Sequence, residues 1–335
     1  MFKVGITRDF MAADGALTYK DMGLSILAAA EDLEYEFLKE NRSPITPDML
    51  YGYDAIISLA PAYNAESLKG VKGLKAICRF GVGYDMVDLK ACSEANVIVT
   101  ITKGAVNYSV AEATITWMLA LCHRVFEKDK LVRSGSWAQR TQYMGSELRG
   151  RTLGVIGAGG IGGKLVEMVR AFDMKTPIAF DPYIDKTKVA SLGLQLVDLP
   201  TLMKESDFIS VNCPLTEETR NLIGQQELSL MKQEAYIINT ARGGIINEAA
   251  LVKVLTGRSI AGYATDVFSQ EPPVADDPLL SLDNVIAAPH CIAWTHDLFR
   301  EIGRKVCRQV VEISKGNIPE DVVNTDILDR WRPDK

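Results

Sequence analysis

The segment TLGVIGAGGIGGKLVEMVRAF, residues 152–172, decides the fold that this sequence predicts. It opens with a short apolar run, Thr152–Ile156, which is typical of a buried strand. The pattern G-x-G-x-x-G follows immediately at Gly157, Gly159 and Gly162, and the remaining residues have helical spacing. A strand, a glycine turn and a helix in this order predict the start of a dinucleotide-binding βαβ unit.

Each part of this pattern has a mechanical reason. The first glycine permits a tight turn, the second lets the backbone approach a pyrophosphate, and the third lets helix and strand pack closely. Asp181 ends the next predicted strand, 19 residues after Gly162, where it would accept hydrogen bonds from the adenosine ribose hydroxyls. A carboxylate there repels the 2′-phosphate of NADP, and Pro182 rather than an arginine follows it. The sequence therefore favours NAD, with NADP as the alternative.

Short apolar runs alternate with helical stretches along most of the chain. Several runs are apolar at consecutive positions, as expected of parallel strands covered by helices on both faces. The pattern predicts an α/β fold with two doubly wound parallel sheets. The predicted strands are Lys3–Thr7, Asp54–Leu59, Leu74–Cys78, Val97–Ile101, Thr152–Ile156, Pro177–Asp181, Leu194–Val197, Phe208–Cys213, Ala235–Asn239, Ile260–Thr265 and Val285–Ala288.

The chain is predicted to form two units. One comprises residues 1–103 together with the tail 295–335, whose apolar residues recur at helical spacing. The other comprises residues 104–294 and contains the glycine pattern. It opens with one long predicted helix over residues 109–133, where Ser109 and the glutamate three positions later have the spacing of a capping box.

Composition excludes several classes of protein. The 335 residues are 24% charged with a formal net charge of −6, which argues against a nucleic-acid partner. No apolar run reaches the ~18 residues of a membrane span, and the charged start does not resemble a signal peptide. The six cysteines form no C-x-x-C pair, so we expect reduced thiols in a cytoplasmic protein, with neither a disulfide framework nor a metal site.

Four residues that follow predicted strands are suited to hydride transfer onto a carbonyl. Such a reduction needs a proton donor at the carbonyl oxygen and a cation that holds the substrate. Open α/β sheets bind ligands at the carboxyl ends of their strands, so Arg242 is expected to grip a carboxylate and His290 to donate the proton. Glu271 would stabilise the protonated imidazole, and Asp266 would lie near the nicotinamide.

Plainer interpretations of these residues stay open at this stage. The glycine pattern can be a packing turn, Arg242 a surface residue of a turn, and Glu271 a solvated loop carboxylate. An isolated histidine is more often structural than catalytic, and we prefer that interpretation for His123 within the long helix. We expect His296, at a helix start, to be solvated or to cap the helix. We prefer His290 as the proton donor because it completes a set with Arg242 and Glu271.

The whole pattern resembles the D-isomer-specific 2-hydroxyacid dehydrogenase family, in motif order and spacing along nearly the entire chain. The resemblance implies a Rossmann NAD-binding domain, which also forms a homodimer, inserted into a flavodoxin-like substrate domain. It implies hydride transfer between NAD(H) and a small 2-keto acid or D-2-hydroxy acid. The motifs that carry the resemblance are the glycine pattern, Asp181, Arg242, Glu271, His290, Arg79–Asp85 and Asn107–Glu112.

The resemblance also implies individual roles. Arg242, Glu271 and His290 would form the catalytic set, and the backbone at Val82 and Gly83 would bind the substrate carboxylate. The residues expected to contact the cofactor are Gly157, Gly159, Gly160, Ile161, Gly162, Asp181, Cys213, Pro214, Thr219, Thr240, Ala241 and Asp266.

Some positions depart from the family pattern. Ala60–Tyr63 carries no basic residue where relatives that act on phosphoglycerate tend to have one, and Gly160 replaces a frequent arginine, lysine or histidine. Glu271 stands where formate dehydrogenases of this fold have glutamine. The family also contains phosphoglycerate and phosphite dehydrogenases, and corepressors that resemble it sense NAD as binding proteins. These functions therefore remain alternatives.

Overall fold

The computed structural model of the chain describes residues 1–331, which divide into two compact units. The first unit comprises Met1–Val106 and the described residues from Trp294 onward, and the second unit comprises Asn107–Ala293. The first boundary lies three residues later, and the second one residue earlier, than the sequence predicted.

The elements follow one another in the α/β order that the sequence predicts. The strands are β1 (Phe2–Ile6), β2 (Leu33–Phe37), β3 (Ala55–Ser58), β4 (Ala76–Arg79), β5 (Ile98–Thr100), β6 (Leu153–Ile156), β7 (Ile178–Phe180), β8 (Gln195–Leu196), β9 (Phe208–Val211), β10 (Tyr236–Asn239), β11 (Gly262–Thr265) and β12 (Val285–Ala287). The α-helices are α1 (Leu24–Ala28), α2 (Leu89–Glu94), α3 (Asn107–Cys122), α4 (Val125–Arg133), α5 (Gly160–Val169), α6 (Lys186–Leu192), α7 (Leu199–Glu205), α8 (Gln225–Ser229), α9 (Glu248–Thr256) and α10 (His296–Ser314).

The sheet of the first unit has five parallel strands in the order β2-β1-β3-β4-β5. This is the flavodoxin-like order. The sequence did not predict β2, whose residues LEYEF alternate between partly buried and exposed positions. As an edge strand, β2 keeps Glu34 and Glu36 in solvent, so it lacks the continuous apolar run that marks the central strands.

The sheet of the second unit has seven parallel strands in the order β12-β11-β10-β9-β6-β7-β8. The chain starts at β6 in the middle, builds outward through β7 and β8, and then returns to the other side of β6 with β9. This reversal is the switch point of a Rossmann sheet, outside whose strand ends ligands bind. The prediction of two doubly wound parallel sheets is confirmed.

The single helix predicted over residues 109–133 is wrong in two respects. The structure has two helices, α3 and α4, because Arg124 between them adopts a left-handed conformation with φ +54°. Helix α3 begins at Asn107, so Ser109 lies inside its first turn and is not the N-cap. The physical reason for the break is burial: α3 buries a broad apolar face, whereas the charged α4 buries only Leu131.

Helix α10 packs within the first unit against the residues that precede α1. Its N-cap is Thr295, whose side chain accepts the N–H of Leu298 at 3.0 Å. A side chain at Gly303 would overlap the backbone carbonyl of Met22, so this contact requires a residue without Cβ. None of the described helices is both long and apolar enough to cross a membrane.

The Gly303→Ala substitution tests this backbone contact. We expect it to lower the free energy of unfolding by about 1–3 kcal/mol through overpacking, although alanine favours a helix by about 1 kcal/mol. Urea unfolding measures the change. Arg304→Ala, at the neighbouring exposed position, is the control and should change stability by no more than about 0.5 kcal/mol. Equal stability of the two variants would contradict the close contact.

Candidate active site

The glycine turn between β6 and α5 has the shape that a diphosphate requires. Gly157 has φ +88°, and a Cβ there would lie 2.9 Å from the backbone nitrogen of Cys213. A Cβ on Gly162 would overlap the carbonyl oxygen of Gly157, whereas nothing lies within 4 Å of a Cβ position on Gly159. The turn is therefore closed on its inner side and open in front of the α5 N-terminus. The first N–H groups of that helix have no intrahelical acceptor there.

Asp181 directly follows β7, and its carboxylate is held at this turn. One oxygen accepts the N–H of Ala158 at 2.9 Å, and the other accepts the N–H of Tyr183 at 2.9 Å. The Tyr183 hydroxyl donates to Glu218 at 2.6 Å, which brings a second carboxylate to the same loop. The loop after β7 therefore carries negative charge beside the glycine turn between β6 and α5, which we call the cradle.

The segment after β9 forms a compact loop around Pro214. The hydroxyl of Thr219 donates to the carbonyl of Pro214 at 2.6 Å, and the N–H of Thr216 donates to that hydroxyl at 2.7 Å. Burial raises the pKa of the Cys213 thiol to about 11, so the thiol is neutral at neutral pH. Cys213 and Pro214 follow β9 beside the glycine turn, as the distance from Gly157 shows.

The turn after β10 is shaped by Asn239, which the sequence analysis did not single out. Its side-chain oxygen accepts the N–H of Ala241 at 3.0 Å, and its amide donates to the carbonyl of Arg242 at 2.9 Å. The Arg242 guanidinium donates to the carbonyl of Ala241 at 2.7 Å, and the Thr240 hydroxyl lies 3.5 Å from that of Thr114. A polar residue ending a buried strand was the available signal for Asn239.

Asp266 follows β11 and is almost fully buried, with 6% of its surface exposed. Its carboxylate accepts the N–H groups of Cys291 at 2.8 Å and Ile292 at 3.1 Å. Burial raises the pKa of Asp266, and these two backbone donors oppose the rise. Asp266 therefore ties the end of β11 to the loop that follows β12.

His290 and Glu271 form a direct pair. The imidazole Nδ1 lies 2.8 Å from the Oε2 atom of Glu271, whose Oε1 accepts the N–H of Phe268 at 3.1 Å. The His290 side chain is 48% exposed, so the ring is accessible to a small molecule. Its backbone has φ +55°, a left-handed conformation that is uncommon for histidine and clusters at functional sites.

Sheet order brings these residues to one edge. Strands β10, β11 and β12 are neighbours and run parallel, so their carboxyl ends lie side by side. Arg242, Asp266 and His290 follow these three ends, and Glu271 reaches the same edge through its contact with His290. His123 lies just after α3, and His296 is the first residue of α10 in the first unit.

Val82 and Gly83 belong to the first unit, in the loop that follows β4. The buried Arg79 at the end of β4 donates to the carbonyl of Gly83 at 3.0 Å and to that of Ser58 at 2.9 Å. The N–H of Thr102 donates to the carbonyl of Gly81 at 2.9 Å. The loop is therefore anchored from below by a buried guanidinium.

The Asp266→Asn substitution tests the electrostatics of this edge through pH. The raised pKa means that the native state holds this proton more tightly than the unfolded state, so ionisation of Asp266 lowers the free energy of unfolding as pH rises above about 3.8. Asparagine keeps the acceptor without the charge. We therefore expect the stability difference, variant minus wild type, to move in favour of the variant from pH 4 to pH 7.

Asp198→Asn is the matched control, because the hydrogen bond from Thr201 lowers the pKa of Asp198. Its ionisation stabilises the fold as pH rises toward the ordinary pKa of 3.8, so between about pH 2 and pH 5 the corresponding difference should move against the variant. Denaturant unfolding at several pH values measures both. Parallel trends in the two variants would contradict the assigned burial of Asp266.

Comparisons with known proteins agree with this architecture. Residues 115–291 match the family model described as D-isomer specific 2-hydroxyacid dehydrogenase, NAD binding domain. A D-3-phosphoglycerate dehydrogenase from Archaeoglobus fulgidus is 38% identical over 273 residues, which are 81% of this chain and 51% of that protein. The chain thus spans about half the length of the phosphoglycerate dehydrogenase that it matches.

Two further relatives are covered almost completely. A glyoxylate reductase from Korarchaeum cryptofilum is 33% identical over 305 residues, 89% of this chain and 92% of that protein. The crystal structure of D-lactate dehydrogenase from Aquifex aeolicus, complexed with NAD and lactic acid, has a TM-score of 0.80 and 28% identity, and covers 93% of this chain and 95% of that one. The chain therefore belongs to the D-isomer specific 2-hydroxyacid dehydrogenase family.

Proposed function

We propose that the protein is an NAD-dependent oxidoreductase that transfers a hydride between NAD(H) and a small 2-keto acid or the corresponding D-2-hydroxy acid. The observation that carries this proposal is the 2.8 Å contact between His290 and Glu271 at the sheet edge shared with Arg242. An acid/base pair beside a guanidinium suits reduction of a carbonyl that has a neighbouring carboxylate. Family membership supports the same chemistry.

Each residue at this sheet edge has a separate role in the proposed mechanism. The nicotinamide of the cofactor, when bound, supplies or accepts the hydride at the substrate carbon. Arg242 binds the substrate carboxylate through its planar guanidinium. His290, with Nδ1 donating to Glu271, uses Nε2 to give a proton to the carbonyl oxygen in reduction. In oxidation the neutral ring takes the hydroxyl proton back.

We propose NAD as the cofactor in preference to NADP. The carboxylate of Asp181 accepts the N–H of Ala158 beside the cradle, and Glu218 adds negative charge through Tyr183. Two carboxylates at this loop disfavour a 2′-phosphate and can accept hydrogen bonds from ribose hydroxyls. The backbone of Gly160 and Ile161 would bind the diphosphate. Cys213, Pro214, Thr219, Thr240, Ala241 and Asp266 would line the rest of the cofactor site.

The proposed substrate is small and unphosphorylated. The loop Ala60–Tyr63 lacks a cation, and the Asp9 carboxylate accepts the N–H of Ala60 at 2.7 Å. A carboxylate at that loop disfavours a phosphate group. Glyoxylate, hydroxypyruvate and pyruvate fit this description, and the names of several relatives include glyoxylate reductase. Phosphohydroxypyruvate is the second candidate, because the relative with 38% identity is named D-3-phosphoglycerate dehydrogenase.

The substitutions His290→Ala and Glu271→Gln test the proposed chemistry. NADH oxidation is measured with glyoxylate, hydroxypyruvate, pyruvate and phosphohydroxypyruvate, and repeated with NADPH. We expect His290→Ala to lower kcat by about 100-fold or more, because the proton donor is lost. Glu271→Gln should also lower kcat, because the His290 ring loses the carboxylate that holds its Nδ1 atom.

His123→Ala is the matched control, since His123 is an exposed histidine outside the sheet edge, and it should retain normal turnover. Turnover by His290→Ala equal to that of wild type would contradict the assignment. Tight NADH binding without turnover on any keto acid would instead favour a binding protein.

We also propose a homodimer formed through the second unit. Its segment 125–144 exposes Phe126, Val132, Trp137 and Met144, with between 54% and 78% of each residue accessible. Several large apolar side chains exposed in one short segment mark an interaction surface. The NAD domain is also the part that the family resemblance predicts to form the dimer.

A Phe126→Asp, Trp137→Asp double variant tests this surface. We expect the mass in solution, measured by light scattering after gel filtration, to fall from that of a dimer to that of a monomer. Leu230→Asp, at an exposed apolar position outside the segment, should keep the wild-type mass. A monomeric wild type, or a dimeric double variant, would refute the proposed interface.

We further propose that the protein works in a reducing compartment such as the cytoplasm. All six cysteines are unpaired. Burial raises the pKa of Cys78, Cys92 and Cys307 to about 12, so these thiols pack as neutral apolar groups.

A further inference from the structure

Asn107, the first residue of α3, lies directly against the glycine turn. A Cβ built on Gly160 would lie 2.7 Å from both the Oδ1 and the Nδ2 atom of Asn107, and 3.0 Å from its Cγ atom. No other atom is as close to that position, and Gly160 does not have a positive φ. The Asn107 carboxamide therefore covers Gly160 at the N-terminus of α5 and occupies the space that any side chain at position 160 would need.

This carboxamide is also without a hydrogen-bond partner within residues 1–331. The contrast with Asn247 is informative, because Asn247 precedes α9 and its side chain accepts the N–H of Ala250 at 3.0 Å as an N-cap. Asn107 is half-buried at the start of a helix but makes no such cap. A half-buried amide donor without a protein partner, next to an anion cradle, is available to a ligand.

We propose that Asn107 binds the cofactor, with its Nδ2–H donating to a diphosphate oxygen held at the α5 N-terminus. This inference rests on the proposed dinucleotide function. A phosphate oxygen bound to the N–H of Gly160 is close to the Gly160 Cα atom, and the carboxamide lies against the Cβ position of the same residue. The sequence departure at Gly160 then has a physical reason. Position 160 has no side chain, and the Asn107 carboxamide of α3 occupies that space with its hydrogen-bond donor.

The substitutions Asn107→Ala and Asn107→Asp test the proposal with three probes. NADH and ADP-ribose both contain the diphosphate, whereas adenosine has no phosphate. We expect Asn107→Ala to weaken binding of NADH and ADP-ribose by about 10-fold to 100-fold and to leave adenosine binding unchanged. The nearly isosteric Asn107→Asp places a negative charge there, so its loss should be larger and should vary with salt. Titration calorimetry measures the first two ligands, and competition against NADH fluorescence measures adenosine.

A double-mutant cycle with Gly160→Ala adds an independent measurement. The three atoms nearest to the alanine methyl position all belong to Asn107, so Gly160→Ala should weaken ADP-ribose binding by displacing the Asn107 carboxamide. In the Asn107→Ala background the same change should have little further effect, which is the signature of coupling. Thr116→Ala, at an exposed position of the same helix, is the control and should bind all three probes as wild type does.

The outcomes separate this inference from the proposed function. If the wild-type protein binds neither NADH nor ADP-ribose, the proposed function fails. If the wild type binds both ligands, and the two Asn107 variants bind ADP-ribose as tightly as the wild type does, the inference about Asn107 fails. The proposed function then stands. An effect on NADH without an effect on ADP-ribose, or an equal loss for adenosine, would also overturn the diphosphate contact.

Discussion

The parallel hydrogen bonding of β10, β11 and β12 is the constraint on which the site depends. The carboxyl ends of neighbouring parallel strands lie at the same edge of the sheet. The loops that follow these three strands therefore begin at adjacent points in space, although they are far apart in sequence. A guanidinium, a buried carboxylate and an imidazole follow those ends. A register shift of one residue in any of these strands would turn each of its side chains to the opposite face of the sheet.

Beyond the strand ends, short polar contacts position the loops. Asn239 closes the turn that carries Arg242, and Asp266 holds two backbone N–H groups of the loop after His290. Glu271 divides its two oxygens between His290 and the backbone of Phe268. In each contact, one side chain holds a backbone segment by hydrogen bonds. The loops that carry Arg242 and His290 are therefore fixed by side-chain contacts. On the opposite side of the β6 switch point, Asp181 does the same for the glycine turn.

Strands were predicted correctly from the sequence where all of their residues are buried. Strands such as β6 and β9 are buried at every residue, and their continuous apolar runs identified them. The edge strand β2 was missed because two of its five residues are exposed and the other three are only partly buried. The break at Arg124 was missed because a left-handed arginine has no sequence signal and arises from the different burial of α3 and α4. Asn239 and Asn107 were not assigned roles, since their contacts depend on residues brought close by folding.

The sequence by itself determined the α/β class and the glycine pattern followed by an acidic residue, and it indicated Arg242, Glu271 and His290 as candidate site residues, because periodicity and local spacing can be read along the chain. Only the tertiary structure decided which nitrogen of His290 meets Glu271, how deeply Asp266 is buried, and that Asn107 lies over Gly160. These features join elements that are distant in sequence. They depend on how strands and helices pack, which no local pattern encodes.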